Sequence, residues 1–181
     1  MLSWVSFSAR GQNAVTDRSP IFLVGFMGAG KTTVGRVLAR QLKYDFFDLD
    51  ELISIEFGKT VQEIFSEHGE PEFRRLESQA IQSCGDMDHC VIALGGGAYV
   101  SEKNRDRLRE IGKTVWLDCP VEVCLERLHG DTSRPLLAGE DEMRALLKRR
   151  RESYARADYV IEAGEGSPED LAREIEALLR K

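Results

Sequence analysis

The stretch that decides the fold is FLVGFMGAGKTTVGRVLARQL, from Phe22 to Leu42. Within it, GFMGAGKT matches the phosphate-binding pattern G-x-x-x-x-G-K-[ST], from Gly25 to Thr32. An apolar run precedes the pattern and an amphipathic segment follows it, which indicates a strand, a tight loop and a helix. Backbone N–H groups of such a loop bind phosphate oxygens, and the helix N-terminus adds positive potential. The stretch therefore predicts a nucleoside triphosphate site, but it leaves open whether a second substrate or water receives the phosphoryl group.

The residues of this loop have separate predicted tasks. Lys31 should reach the outer phosphates, and the hydroxyl of Thr32 should bind the Mg²⁺ that accompanies ATP. The alternative is a chance glycine turn, which the flanking strand and helix argue against. We expect the other nucleotide contacts of this segment to come from small or hydroxylated residues, namely Gly28, Ala29, Gly30 and Thr33.

Composition limits the class of protein. The length of 181 residues suits one domain, and the net charge of −6 argues against a general nucleic-acid binder. No apolar run approaches the roughly 20 residues that span a bilayer. We therefore expect a cytoplasmic monomer that binds neither nucleic acid nor membrane. The cysteines form no C-x-x-C pair, which favours free thiols in a reducing compartment: Cys84, Cys90, Cys119 and Cys124.

The chain has two predicted parts. Residues 1–19 are polar and serine-rich without helical periodicity, which predicts a disordered leader; a transit peptide is the alternative. Residues 20–181 alternate between short apolar runs and amphipathic segments, which predicts an α/β domain with a parallel sheet covered on both faces. The predicted strands are IFLVG, YDFFDLD, CVIALGGGA, KTVWLD and DYVIE. The predicted helices begin near Lys31, Thr60, Glu70, Ser101, Pro120, Asp141 and Pro168.

Two acids end the second predicted strand. Asp48 and Asp50 are alternate residues, so in a strand they would point the same way, towards the ligand crevice at the carboxyl ends of the strands. We expect Asp48 near Mg²⁺ and Asp50 on a hydroxyl of the acceptor. The alternative is that Asp50 only caps the next helix.

Glycines and arginines elsewhere fit a compact acidic acceptor. Gly95 to Gly97 follow the third strand and form either a flexible turn or a floor on which a ligand touches bare backbone. Arg74 has Glu77 three residues on, so it is either half of a solvated ion pair or an arginine held for a carboxylate. Arg150 shares the apolar face of its helix with Met143, Leu147 and Tyr154, and a buried guanidinium requires an anion.

The segment HGDTSRPLLAG is polar, has a glycine near each end, and carries Arg134. One interpretation is a surface connection. The other is a lid at about residues 130–140 that closes over the phosphates, excludes water and brings in an arginine.

These pieces together resemble the shikimate kinase family. The resemblance is carried by GFMGAGKTT, FFDLD, GEPEFRRLE, GGGA and RPLL, and it extends from Ile21 to the end of the chain. It implies a P-loop fold of the nucleoside monophosphate kinase-like class, three-layer α/β/α with a five-stranded parallel sheet. It also implies transfer of the γ-phosphoryl group of ATP to the 3-hydroxyl of shikimate, in the chorismate pathway to the aromatic amino acids.

The family pattern also implies residue roles. Lys31, Asp50 and Arg134 would be catalytic, and Thr32 and Asp48 would hold the metal. The shikimate pocket would consist of Asp50, Arg74, Gly96, Gly97 and Arg150. Arg127 would stack on the adenine, although on its own it is only a cation at a helix end. The loop with Ser167 and Pro168 would complete the adenine site.

Two other functions remain open from the residues. One is a kinase of another sugar acid such as gluconate, which the paired arginines disfavour. The other is a regulatory protein that binds ATP or shikimate without turnover, which the complete set of phosphate-binding and acidic residues disfavours.

Overall fold

The computed structural model of the chain describes residues 19–129 and 139–180. The strands are β1 (Ile21–Val24), β2 (Asp45–Asp48), β3 (Cys90–Ala93), β4 (Lys113–Asp118) and β5 (Tyr159–Glu162). The helices are α1 (Lys31–Leu42), α2 (Leu49–Phe57), α3 (Val61–Ser83), α4 (Glu102–Ile111), α5 (Val121–His129), α6 (Glu140–Tyr154) and α7 (Pro168–Leu179). Short 3₁₀ turns lie at Cys84–Asp86 and Ala98–Val100.

The strands form one five-stranded sheet in the order β2-β3-β1-β4-β5, and every pairing is parallel. All four residues of β1 and all four of β3 are buried. Because successive side chains of a strand point to opposite faces, helices must cover both faces of the sheet. This confirms the predicted α/β sandwich and places β1, with the loop that follows it, at the centre of the sheet.

Helix ends follow their sequence signals. Thr60 caps α3 through a capping box with Glu63, and Ser167 caps α7 through a capping box with Asp170. The backbone of α3 leaves the helical region at Gly69, where φ is 80° and ψ is 170°. The segment therefore behaves as the two consecutive helices that the sequence predicts, and Arg74 lies near the start of the second one.

The prediction for the second strand was wrong at its end. β2 stops at Asp48, and α2 begins at once with Leu49, so Asp50 belongs to a helix. The carboxylate of Asp48 accepts a hydrogen bond from the backbone N–H of Asp50 at 3.1 Å, which makes Asp48 the N-cap of α2. The two acids therefore do not alternate along one strand, and α2 was not predicted.

Two predicted segments fall outside the described residues. The leader covers residues 1–19, of which only Ser19 is described, and Arg134 and residues 130–138 of the predicted lid are not described. Glu140, at the end of the predicted lid, is the first residue of α6. Within the described ranges, no helix combines the length and the apolarity needed to cross a bilayer.

Candidate active site

The loop between β1 and α1 has the backbone shape of a phosphate cradle. Gly28 and Gly30 lie in the left-handed region, with φ of 78° and 90°. A methyl group on Gly28 would lie 2.7 Å from the carbonyl oxygen of Cys124, so both conformation and space require glycine there. Gly30 is the N-cap of α1 and has no side chain that could accept hydrogen bonds from the first N–H groups of the helix. These N–H groups can therefore bind an anion.

Lys31 reaches back over this loop. Its ammonium group donates hydrogen bonds to the carbonyl oxygens of Gly25 at 3.0 Å and of Phe26 at 2.9 Å. Ala29 is buried, and its N–H donates to the Phe26 carbonyl at 3.2 Å, which tightens the turn. Thr33 is exposed in the first turn of α1. The ammonium group therefore lies at the mouth of the loop, where it can exchange carbonyl oxygens for phosphate oxygens.

Thr32 and Asp48 are in direct contact. The hydroxyl of Thr32 donates a hydrogen bond to Oδ2 of Asp48 at 2.9 Å. Both are partly buried, and they bring together the first turn of α1 and the end of β2. A hydroxyl oxygen and a carboxylate oxygen this close can both serve as ligands of one divalent cation.

Asp50 and Glu77 meet at the first glycine after β3. A methyl group on Gly95 would come within 2.7 Å of Oδ1 of Asp50 and 2.8 Å of Oε1 of Glu77. Glu77 is fully buried, and its Oε1 has no hydrogen-bond partner among the described residues. Burial raises the pKa of Glu77, the hydrogen bond and charge of Arg74 oppose that rise, and nearby Asp50 adds to it.

Arg74 is held on both sides by acids. Nη1 donates to Oε2 of Glu77 at 2.5 Å, and Nε and Nη2 donate to Oε1 of Glu70 at 3.1 and 2.9 Å. The pair with Glu77 is not the solvated ion pair of the alternative interpretation, because Glu77 is buried. A methyl group on Gly97 would overlap the guanidinium of Arg74. The bare backbone of Gly97 therefore forms one wall for this arginine.

Arg150 approaches the neighbouring glycine from α6. Met143, Leu147 and Tyr154 are buried and Arg150 is partly buried, which confirms that it shares the apolar face of the helix. Its Nη1 lies 3.4 Å from a methyl group placed on Gly96. The methyl group placed on Gly96 would also lie 3.6 Å from the carbonyl oxygen of Gly25 and 3.7 Å from the backbone nitrogen of Met27. The structure thus brings two arginines to adjacent glycines beside the phosphate loop.

The residues predicted to bind the adenine lie in α5 and at the start of α7. Nη1 of Arg127 donates to the carbonyl oxygen of Gly28 at 3.3 Å, so this arginine contacts the phosphate loop. Ser167 and Pro168 start α7 after the loop that follows β5. In that loop, a methyl group on Gly164 would lie 2.8 Å from Pro120, the residue before α5. The loop and the helix with Arg127 are therefore neighbours.

Sequence reasoning missed one functional contact. The hydroxyl of Tyr154 donates to the carbonyl oxygen of Gly96 at 2.5 Å, and Arg150 is close enough to affect the pKa of this phenol. Burial raises the pKa of Tyr154 to about 12, against the opposing effect of Arg150, so the phenol remains a donor at neutral pH. The spacing of four residues from Arg150 was a usable signal, but Tyr154 was assigned only to the apolar face.

The sheet order and the geometry of the loop after β1 define the class of protein. It is a phosphate-loop protein with the fold of small-molecule and nucleotide kinases.

A sequence model described as shikimate kinase matches residues 27–180. The chain is 44% identical over 169 residues to a shikimate kinase of Geobacter sulfurreducens, covering 92% of this chain and 93% of that one. It is 40% identical over 161 residues to a shikimate kinase of Persephonella marina, covering 88% and 98%.

Solved structures agree with these relatives. Shikimate kinase from Acinetobacter baumannii in complex with shikimate superposes with a TM-score of 0.84 and 42% identity, over 90% of this chain and 93% of that one. A gluconokinase from Sinorhizobium meliloti reaches a TM-score of 0.57 at 19% identity, which shows a shared fold only. The chain belongs to the shikimate kinase family.

Proposed function

We propose that this protein transfers the γ-phosphoryl group of ATP to the 3-hydroxyl of shikimate, giving 3-phosphoshikimate and ADP on the route to chorismate and the aromatic amino acids. One observation carries the proposal: Arg74 and Arg150 lie against adjacent glycines, and one of these glycines also contacts the phosphate loop. Two guanidinium groups beside adjacent glycines suit a carboxylate, and the nearby loop suits the donor phosphates. Family membership supports the same substrate pair.

On the nucleotide side, this chain supplies positive charge and backbone donors. The phosphate loop and the open N-terminus of α1 bind phosphate oxygens. Lys31, already at the mouth of the loop, neutralises charge on the transferring group as it spreads over the equatorial oxygens. Arg127, which lies on the Gly28 carbonyl, covers the base side together with the loop of Ser167 and Pro168.

We propose that Thr32 and Asp48 hold Mg²⁺. Their oxygens are already 2.9 Å apart, and Mg²⁺ takes few protein ligands because it retains water and binds phosphate oxygens. The described residues contain no group of three His, Cys, Asp or Glu side chains that would favour another kind of metal site. When bound, the ion would supply charge stabilisation at the β- and γ-phosphates.

On the acceptor side, the chain positions the substrate. Arg74 and Arg150 fix the carboxylate at one end of the ring, and Gly96 and Gly97 allow the ring to approach the backbone. Asp50 lies beside Gly95, where it can accept a hydrogen bond from the attacking hydroxyl and take its proton late. Phosphoryl transfer has a loose transition state, so this orientation and charge placement supply most of the rate enhancement.

The acceptor in this proposal is therefore a carboxylated polyol rather than water. The predicted roles of Arg134 and of a lid at about residues 130–140, which would exclude water, rest on the sequence and its resemblance. The expectations of a monomer, of no nucleic-acid or membrane partner and of a cytoplasmic location also rest on the sequence and its resemblance. All four cysteines are free thiols, which fits a reducing compartment.

The test is an ADP-release assay of the full chain with ATP, Mg²⁺ and one acceptor at a time. We expect ADP release with shikimate and at most background release with quinate, gluconate or water alone. Lys31→Ala should lower kcat by about 10³-fold or more while the chain remains folded. Turnover of gluconate instead would support the sugar-acid alternative, and tight binding of both ligands without ADP release would support the regulatory one.

A further inference from the structure

Two cysteines flank the first turn of α5. The N–H of Cys124 donates to the carbonyl oxygen of Pro120 at 3.1 Å, which is the first hydrogen bond of the helix. Cys119 therefore occupies the position before the N-cap, and Cys124 the fourth helical position. Side chains at these two positions pack against each other in the hydrophobic staple of helix starts. Both are buried, with exposed fractions of 3% and 0%.

The two thiols are neighbours. Sγ of Cys124 lies 4.0 Å from the carbonyl oxygen of Cys119, and each thiol shifts the pKa of the other. Nη1 of Arg127 lies 3.7 Å from Sγ of Cys119. A guanidinium beside a thiol stabilises the thiolate, which is the form of cysteine that acts as a nucleophile.

These contacts make the pair unequal. The hydrogen bond from Cys124 and the charge of Arg127 lower the pKa of Cys119 to about 7, against the effect of burial. The shared hydrogen bond, burial and the nearby Cys119 raise the pKa of Cys124 well above its usual range. The guanidinium of Arg127 beside Cys119 favours the loss of a proton from this side of the pair.

The same pair touches the phosphate loop from two directions. Arg127, which contacts Cys119, also donates to the carbonyl oxygen of Gly28. The backbone carbonyl of Cys124 is the group that leaves no space for a methyl group on Gly28. A covalent change at the pair must therefore be accommodated next to the residues that bind phosphates.

We propose that Cys119 and Cys124 form an oxidation-sensitive dithiol that closes to an intrachain disulfide and weakens nucleotide binding. With a peroxide as oxidant, the Cys119 thiolate attacks one peroxide oxygen, the O–O bond breaks, and Cys119 becomes a sulfenic acid with release of hydroxide. The Cys124 sulfur, on losing its proton, attacks the Cys119 sulfur and displaces the second hydroxide. The net reaction converts two thiols and one hydrogen peroxide into one disulfide and two waters.

The remaining cysteines provide an internal comparison. Cys84 is buried, and burial raises its pKa to about 12; burial also raises the pKa of Cys90. Thiols of this kind are poor nucleophiles at neutral pH. Formation of the disulfide does not depend on the proposed function, whereas its effect on ATP-dependent turnover rests on that function.

Peptide mapping tests the chemistry on the full chain. The protein is reduced, freed of reductant, treated with graded hydrogen peroxide, alkylated and digested with trypsin. Residues 114–127, TVWLDCPVEVCLER, form one tryptic peptide with both cysteines. We expect this peptide to become two hydrogens lighter and resistant to alkylation before Cys84 or Cys90 reacts. Retention of two alkylatable thiols in this peptide while Cys84 or Cys90 is oxidised would overturn the proposal.

Direct ADP binding, measured with and without peroxide, tests the consequence. We expect the Kd for ADP to rise roughly fivefold or more, as for coupled sites, and to return with dithiothreitol. Cys124→Ala should abolish both the disulfide and the reversible loss, whereas Cys84→Ala should behave as the wild type. A disulfide with unchanged ADP affinity would overturn the proposal, and the wild-type measurement decides even if a variant does not fold. Reduced protein that binds ADP but does not phosphorylate shikimate would refute the proposed function only.

Discussion

The guanidinium group of Arg74 lies so close to the Cα of Gly97 that even a methyl group does not fit between them. Gly97 itself has an ordinary φ of −98°, so close approach, and not an unusual backbone conformation, requires glycine here. The neighbouring Gly96 is less demanding, because a methyl group there would be 3.4 Å from Arg150. The two glycines therefore make separable predictions.

Gly97→Ala should displace Arg74 and raise the KM for shikimate about tenfold or more, the cost of one charge-assisted hydrogen bond. Gly96→Ala should have a smaller effect, because its methyl group needs only a small adjustment of Arg150. Steady-state kinetics with ATP saturating and shikimate varied gives both values. Equal KM values for the two variants would contradict this account of the pocket floor.

Arg74→Lys should raise the KM for shikimate roughly tenfold while the KM for ATP stays near its wild-type value, since lysine cannot pair with a carboxylate through two donors. Arg75→Lys is the matched control, because Arg75 is its exposed neighbour and its guanidinium bonds to Glu72. If acceptor kinetics of the Arg74 variant are unchanged, the carboxylate binds elsewhere.

Tyr154→Phe removes the hydroxyl that bonds to the Gly96 carbonyl, beside Arg150. We expect the KM for shikimate to rise about three- to tenfold, the range for a lost neutral hydrogen bond, with the KM for ATP little changed. Tyr99→Phe is the control, because Tyr99 is equally buried but its hydroxyl bonds to Thr114 and to the Arg156 carbonyl. Equal kinetic effects of both variants, alongside equal losses of Tm, would mean that Tyr154 has only a structural role.

Asp48→Asn should raise the Mg²⁺ concentration needed for half-maximal activity about tenfold, as for other groups that support a metal. Asparagine caps helices as well as aspartate does, so α2 should remain intact. Asp45→Asn, at the exposed start of the same strand, is the control. A magnesium titration at fixed ATP separates the two, and identical titration curves would exclude Asp48 from the metal site.

Local signals were sufficient where one segment determines its own structure. The phosphate loop is specified by glycines and by the helix they precede, and the sequence also predicted helix starts near Thr60 and Pro168, where α3 and α7 begin. The periodicity of α6 predicted that Arg150 faces inward, because burial on a helix follows its repeat. These features depend on contacts within a few residues.

The sequence was insufficient where two local structures compete or where distant segments meet. FFDLD fits a strand as far as Asp50, but Asp48 caps a helix that the sequence did not predict, so the strand ends two residues earlier. Helical spacing places Glu77 on the buried face of α3 with Phe73 and Ala80, but its contact with Gly95 joins distant segments that no local pattern connects. The contact of Tyr154 with Gly96 joins residues far apart in the chain.

The order of strands has a consequence for biosynthesis. β1 is the first strand to leave the ribosome, yet its partners are β3 and β4, so it cannot be paired on both sides until Asp118 has been made. A nascent chain shorter than this leaves at least one edge of this apolar strand open, a feature that chaperones recognise. Affinity for ATP should therefore emerge late in translation, after most of the polypeptide has been synthesised.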